Sequence, residues 1–158
     1  MPIDGVKVTD ITLHIDDRGS LFQAAGGKWI QRVYIVTDPV RGTVRGFHRH
    51  MEESEVFCII SGSAKFVLID PSDPPRVTIA DCAGGTPFLP TPDVQIDEYT
   101  LSAARLQTIT IPAGVYHGWV SLEDNTVLVA VADRPYNPAD KECLPADAFG
   151  DLWTVRAR

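Results

Sequence analysis

RGFHRHMEESEVFCIISG, Arg45 to Gly62, sets two histidines one residue apart, five residues before a buried-looking Glu and twelve before a Gly. A strand alternates its faces, so His48 and His50 project to the same side. Met51-Glu52-Glu53-Ser54 then makes a polar four-residue connection, a common hairpin length. A hairpin would set His50 across from Glu55 and His48 across from Phe57. Directly paired residues share a face, so two imidazoles and a carboxylate would converge. Such a group can move protons, or it can be half of a metal cage. The second half would come from IPAGVYHGW, Ile111 to Trp119, where Pro112-Ala113-Gly114 turns the chain and delivers His117 on the next strand.

Working outward, the dominant pattern is short strands between turn signals. KVTDITLHID (7–16), WIQRVYIVTD (29–38), EVFCIISG (55–62), SAKFVLID (63–70), RVTIA (76–80), LQTITIP (106–112) and TVLVAVAD (126–133) are rich in Val, Ile, Thr and aromatics. Gly and Pro punctuate them. The best helical candidate, DKECLPADAFGDLW (140–153), is short and interrupted by Pro145. Many strands without crossover helices predict an all-β, antiparallel sandwich or barrel. The Pro- and Gly-rich stretch from Pro71 to Pro92 reads as a long surface excursion, either a lid or a plain loop.

At 158 residues the chain suits one domain, 1–158, with a single core. Hydrophobic residues at 44% and charged ones at 22% place it among ordinary globular proteins. The start MPIDGVKVTD has neither the basic nor the apolar region of a signal peptide, and no apolar run is long enough to span a bilayer. Three cysteines, Cys58, Cys82 and Cys143, form no CxxC, which argues against a disulfide framework. A cytoplasmic location is expected. The net charge of −7 argues against nucleic-acid binding, which needs a basic face. A nucleotide ligand remains open, because a few local arginines can hold a pyrophosphate. Arg18, Arg32, Arg45 and Arg49 all fall in the first third of the chain.

Written as spacings, the first segment is G-x5-H-x-H-x4-E-x6-G, Gly42 to Gly62, and the second P-x-G-x2-H, Pro112 to His117. Together they resemble the two signatures of the cupin superfamily. That resemblance implies a cupin jelly-roll β-barrel (double-stranded β-helix) with the site inside it. DDRGSL (16–21), QRVYIVTD (31–38), RGFHRH (45–50) and GSAKFVLID (62–70) resemble the dTDP-4-keto-6-deoxyglucose 3,4-ketoisomerases. LQTITIPAGVYHGWVSLEDNT (106–126) and YNPADKECLPADAFGDLW (136–153) look more like the dTDP-4-dehydrorhamnose 3,5-epimerases.

Both families act on 4-keto sugar nucleotides, and the chemistry suits imidazole, whose ordinary pKa of about 6.5 lies near working pH. A proton beside a ketone can be removed and returned on the other face, or elsewhere along the enediol. By resemblance His48 holds the catalytic-base position and His50 matches the second histidine of the ketoisomerases. Asp147 sits near the epimerase Asp that orients the base, and Tyr34 is the candidate proton donor. Arg18 and Arg45 match family arginines that grip diphosphate or a sugar oxygen. Trp119 and Trp153 are candidates for stacking on a ring, or are core. The resemblance also implies a homodimer in which the 1–15 strand finds a partner, and no organic cofactor.

The pattern departs from both families. The epimerases carry a general-acid Tyr near the place of Ala130, a Lys where this chain has Glu55, and a Gln where it has His50. The ketoisomerases usually have Gln at position 55. Full 3,5-epimerisation by the standard pair is therefore in doubt. With His48, His50 and His117, Glu55 completes a set suited to one divalent ion, Fe²⁺, Mn²⁺, Co²⁺, Ni²⁺ or Zn²⁺. Alternatively Glu55 pairs with a nearby histidine and raises its pKa. Three functions remain open. They are a nucleotide-sugar epimerase or ketoisomerase, a metal-dependent lyase, isomerase or dioxygenase acting on a small acid or sugar, and a non-catalytic sugar-binding cupin.

Overall fold

A computed structural model describes residues 1–71 and 94–155. The expected RVTIA strand, Cys82 and nearly all of the Pro- and Gly-rich excursion lie outside the described residues. Twelve strands form within them, and the only helical element there is one 3₁₀ turn, Pro138–Asp140. No helix is long and apolar enough to cross a membrane.

Two five-stranded antiparallel sheets face each other. The first contains β1 (Lys7–Asp10), β4 (Arg32–Val36), β6 (Glu55–Ser61), β9 (Gln107–Ile111) and β11 (Val127–Ala132), in the order β1-β9-β6-β11-β4. The second contains β5 (Val44–His50), β7 (Ser63–Pro71), β8 (Val94–Ser102), β10 (Tyr116–Ser121) and β12 (Lys141–Cys143), in the order β12-β5-β10-β7-β8. A two-stranded hairpin, β2 (Leu13–Asp16) with β3 (Gly19–Phe22), forms a sheet of its own. This is the jelly-roll barrel that the cupin resemblance implies. Its core fills the space between the sheets, with Phe57 and Phe66 in ring contact at 5.9 Å and Ile109, Ile111 and Leu128 buried around them.

Several elements differ from the expectation. Residues 51–54 do not close a hairpin: β5 pairs with β10 and β12, whereas β6 pairs with β9 and β11. The connection arches from one sheet to the other. Asp140 holds the arch, its carboxylate accepting the backbone N–H groups of Met51, Glu52 and Glu53 at 3.0, 3.1 and 3.3 Å. The convergence of His50 and Glu55 survives because the sheets face each other, not because the residues pair. The 7–16 strand splits into β1 and β2, and β1 finds its partner in β9 of the same chain. The 140–153 segment is not helical. It gives the short β12, then turns that pack Leu144, Ala148, Phe149 and Trp153 on the outer face of the second sheet. Pro145 and the β-forming pairing with β5 outweigh its weak helical pattern.

One irregularity aims the site. His117 lies opposite His48 and Trp119 opposite Arg45, so two steps along β10 match three along β5. The extra residue in β5 is a bulge, which resets the alternation of faces. Arg45 thereby joins His48 and His50 around the interior cavity, while Phe47 contacts Phe149 and Trp153 on the outer face. The bulge needs Gly46 against Gly118: a Cβ on Gly46 would stand 2.6 Å from the Gly118 Cα. The R-G-x-H and H-G pairs of the sequence are the two sides of this backbone contact.

Candidate active site

The space between the sheets opens into a cavity of about 320 Å³. β4 contributes Arg32 and Tyr34, β5 Arg45, His48 and His50, and β6 Glu55 and Phe57. Across from them stand His117, Gly118 and Trp119 of β10, then Tyr136 and Lys141 from the C-terminal segment.

Glu55 is the most buried charged group among the described residues, 1% exposed. Its Oε1 accepts the Tyr34 hydroxyl at 2.7 Å and lies 3.8 Å from Arg32. Its Oε2 faces His117 Nε2 at 3.1 Å and His50 Nε2 at 4.0 Å, yet makes no hydrogen bond of good geometry. Burial alone would raise the Glu55 pKa. The hydrogen-bonding reach and charge of His117, then the Tyr34 hydroxyl and His50, outweigh it and bring the carboxyl down to about 2. Arg32 is committed mainly to Glu53, at 2.6 Å. Burial and the neighbouring Glu55 nevertheless push Glu53 up to about 7, against the pull of Arg32.

His117 Nδ1 lies 3.1 Å from the Val115 carbonyl, which can only accept, so Nδ1 carries the proton there. Its Nε2 then either holds a second proton for Glu55 or turns a lone pair toward it. His50 is bracketed by acids, with Nδ1 3.7 Å from Asp140 and Nε2 3.6 Å from Glu53. The ligand atoms of His50, Glu55 and His117 lie within 4.8 Å of one another, and His48 stands outside that group. Its ring centroid is 6.4 Å from that of His117. No carboxylate of the described residues pairs with His48. Burial, then the charges of Lys141, His117, His50 and Arg45, hold its pKa down to about 3, so it is neutral at pH 7.

The structure brings together Tyr34, Arg45, His48, His50, Glu55, His117 and Trp119 of the residues singled out in the sequence. Trp119 is also part of the core, 5% exposed. Tyr34 pairs directly with Ala130, so a phenol does stand beside the place where the epimerases carry theirs, delivered from the adjacent strand. Four expected residues do not line the cavity. Asp147 is exposed in a turn of the segment that packs on the outer face, and its backbone carbonyl accepts from Gly150. Arg18 is on the β2–β3 hairpin, ion-paired with Asp16 and largely in solvent. Trp153 belongs to the outer cluster, and Arg49 turns outward over the Tyr116 ring toward Glu142. Four residues had carried no sequence signal for this site. Glu53, Asp140 and Lys141 take their roles from the arch and from β12, and Tyr136 stacks under Arg32 from the loop before it. A three-residue edge strand has too little periodicity to announce itself.

The depressed His48 has a consequence for stability. Unfolded, its imidazole titrates near 6.5; folded, near 3. Between these values the unfolded chain binds a proton that the folded one refuses, so the contribution is complete above pH 6.5 and is lost as pH falls toward 3. Glu53 acts in the opposite sense, its contribution being present below 4.5 and lost as pH rises through 7. His48→Gln removes only the first effect. Urea denaturation at stepped pH should show the variant losing less stability than the wild type between pH 7 and pH 4.

By sequence, residues 4–86 match the family described as "FdtA: WxcM-like, C-terminal", which is 83 of the 158 residues. The chain is 26% identical over 171 aligned residues to the spore coat polysaccharide biosynthesis protein SpsL of Bacillus subtilis, covering 99% of each. It is 26% identical over 149 residues to the dTDP-4-dehydrorhamnose 3,5-epimerase of Mycobacterium tuberculosis, covering 85% of this chain and 65% of that one. Among solved structures, a dTDP sugar isomerase from Desulfovibrio desulfuricans superposes with a TM-score of 0.76 at 15% identity, covering 96% of this chain and 91% of that one. The sugar 3,4-ketoisomerase QdtA from Thermoanaerobacterium thermosaccharolyticum, in complex with TDP, gives 0.66 at 20% identity over 89% of each. These structural likenesses are of fold. With more than half its length inside one family model, the chain belongs to the FdtA family, WxcM-like, C-terminal.

Proposed function

We propose that the protein is an isomerase acting on a nucleotide-linked 4-keto-6-deoxyhexose, moving a proton next to the ketone, in deoxysugar or polysaccharide biosynthesis. The observation that carries this reading is His48: a neutral, half-buried imidazole, free of any acidic partner among the described residues, facing a cavity that also holds Arg45 and Lys141. A general base needs its lone pair free toward the substrate, and no described carboxylate occupies that of His48 in the cavity.

In this reading the keto sugar lies in the cavity beside His48, and Arg45 faces the diphosphate. His48 takes the proton from the carbon next to the ketone and returns it within the same site. One base working on one enediol suits a shift of the carbonyl or inversion of one centre better than inversion of two. Tyr34 is the candidate acid; burial, then the nearby Glu55, raises its pKa and keeps it protonated. Its hydrogen bond to Glu55 must open before that proton can reach substrate. Incubated in D₂O with dTDP-4-keto-6-deoxyglucose, the wild type should wash deuterium into the sugar. His48→Asn should slow that exchange about 10²–10⁴-fold and leave TDP binding largely intact. Exchange at the wild-type rate in the variant would transfer the base role to His50.

A second reading rests on a different observation, the orphaned Glu55 Oε2 facing His117 Nε2. A divalent cation fits between such donors, and His50, Glu55 and His117 would hold it. Once bound it would serve as a Lewis acid toward a substrate oxygen. Purified protein should then carry close to one divalent ion per chain, and Glu55→Ala should lose most of it by elemental analysis. Metal-free protein with full activity after chelation removes this reading.

A homodimer is part of the proposal. Leu13, Ile15 and Leu21 on the hairpin and Val33 and Ile35 on β4 are exposed, and two copies would cover them. Light scattering at micromolar concentration should give twice 17.3 kDa; the mass of one chain overturns it.

A further inference from the structure

Three cations line the cavity, Arg32, Arg45 and Lys141. They are not equivalent. Arg32 is spent on Glu53 and Glu55 and stacks between Tyr34 and Tyr136. Arg45 is exposed at the mouth. Lys141 is half-buried and forms no ion pair with any described carboxylate. β12 lies directly against β5, with Lys141 opposite His50 and Cys143 opposite His48. Paired residues share a face, so the Lys141 ammonium enters the cavity beside both imidazoles. A half-buried ammonium without a described carboxylate beside it is poised for an anionic group of a ligand.

We propose that Lys141 is the electrophilic catalytic residue of this site, its ammonium stabilising the oxyanion that forms as His48 deprotonates the carbon next to the ketone. This rests on the isomerase reading above. As the C–H bond breaks, the proton goes to the His48 imidazole and the electron pair becomes the C–C π bond of the enediolate. The former carbonyl oxygen takes the negative charge, against Lys141. For the carbonyl to shift, the oxyanion takes up the proton of the neighbouring hydroxyl, that oxygen closes the new double bond, and the imidazolium gives its proton to the former carbonyl carbon, so no oxidant or co-reactant is needed. Lys141 and His48 line the same cavity, so the base and the cation can meet adjacent atoms of one substrate.

The test uses the full chain, dTDP-4-keto-6-deoxyglucose and D₂O, with TDP binding measured separately by calorimetry. Losing one preorganised oxyanion donor typically costs about 10²–10³-fold in kcat. Lys141→Met should show a loss of that size in both exchange and turnover, with TDP affinity within about threefold of wild type. Should the uncharged variant not fold, Lys141→Arg carries the test. Its displaced cation should lower kcat at least about tenfold while TDP affinity holds. Exchange at the wild-type rate in Lys141→Met overturns the assignment. So does a tenfold loss of TDP affinity at unchanged kcat, which would make Lys141 a diphosphate anchor. Wild-type protein that leaves the sugar unlabelled removes the isomerase reading and this proposal with it. Labelled wild type beside an equally labelled Lys141→Met removes Lys141 alone.

Discussion

A carboxylate buried between two sheets is the constraint around which the cavity is built. Glu55 starts β6 in the first sheet, but its charge is answered across the gap by His117 and His50 of the second, as well as by Tyr34 and Arg32 beside it. Removing one partner of such a group costs about 3–5 kcal/mol, because the remaining charge stays buried. The strands that carry these partners are therefore held in one register. The Gly114 N–H donating to the His50 carbonyl at 2.7 Å locks the two histidine-bearing segments to each other. Asp140 fixes the arch between His50 and Glu55 from the opposite side.

The C-terminal segment does two jobs with one stretch of chain. Beyond Cys143 it covers the outer face of the second sheet, where Phe47 meets Phe149 and Trp153 at ring distances of 5.3 and 4.9 Å. Before Cys143 it adds an edge strand and turns Lys141 into the cavity. The covering role explains why Asp147 is remote from His48: the apolar side chains that flank it must reach the outer cluster, which carries the intervening Asp into solvent. His48 is left with a cation for a neighbour instead of a carboxylate.

Charge is distributed against the average of the molecule. The chain is acidic overall, at −7, yet its cavity presents two cations, Arg45 and Lys141, that pair with no carboxylate among the described residues. Such an arrangement favours an anionic group in the cavity. The histidines divide in the same way. His50 and His117 face carboxylates and His48 faces no described one, so imidazoles with ring centroids 6.1 and 6.4 Å apart meet two different surroundings.

What the sequence by itself determined is the barrel and most of its lining. Strand alternation put His48 and His50 on one side, turn glycines marked where strands end, and the resemblance of the Gly42–Gly62 and Pro112–His117 segments to the cupin signatures implied a jelly roll with its site inside. What only the tertiary structure decided lies where local rules give no information. The 51–54 connection has hairpin length and composition, and only the pairing of β5 with β10 and β12, and of β6 with β9 and β11, makes it an arch. Arg45 reaches the interior because a bulge at the Gly46–Gly118 contact shifts the alternation by one, a backbone collision between residues 72 positions apart that no local pattern encodes. Lys141 and Asp147, six residues apart in one weakly patterned tail, are sent to opposite faces of the second sheet by what each neighbour buries. Side-chain periodicity is local and can be read along the chain. Which face an edge strand presents, and which charges end up paired, depends on packing partners far away in sequence.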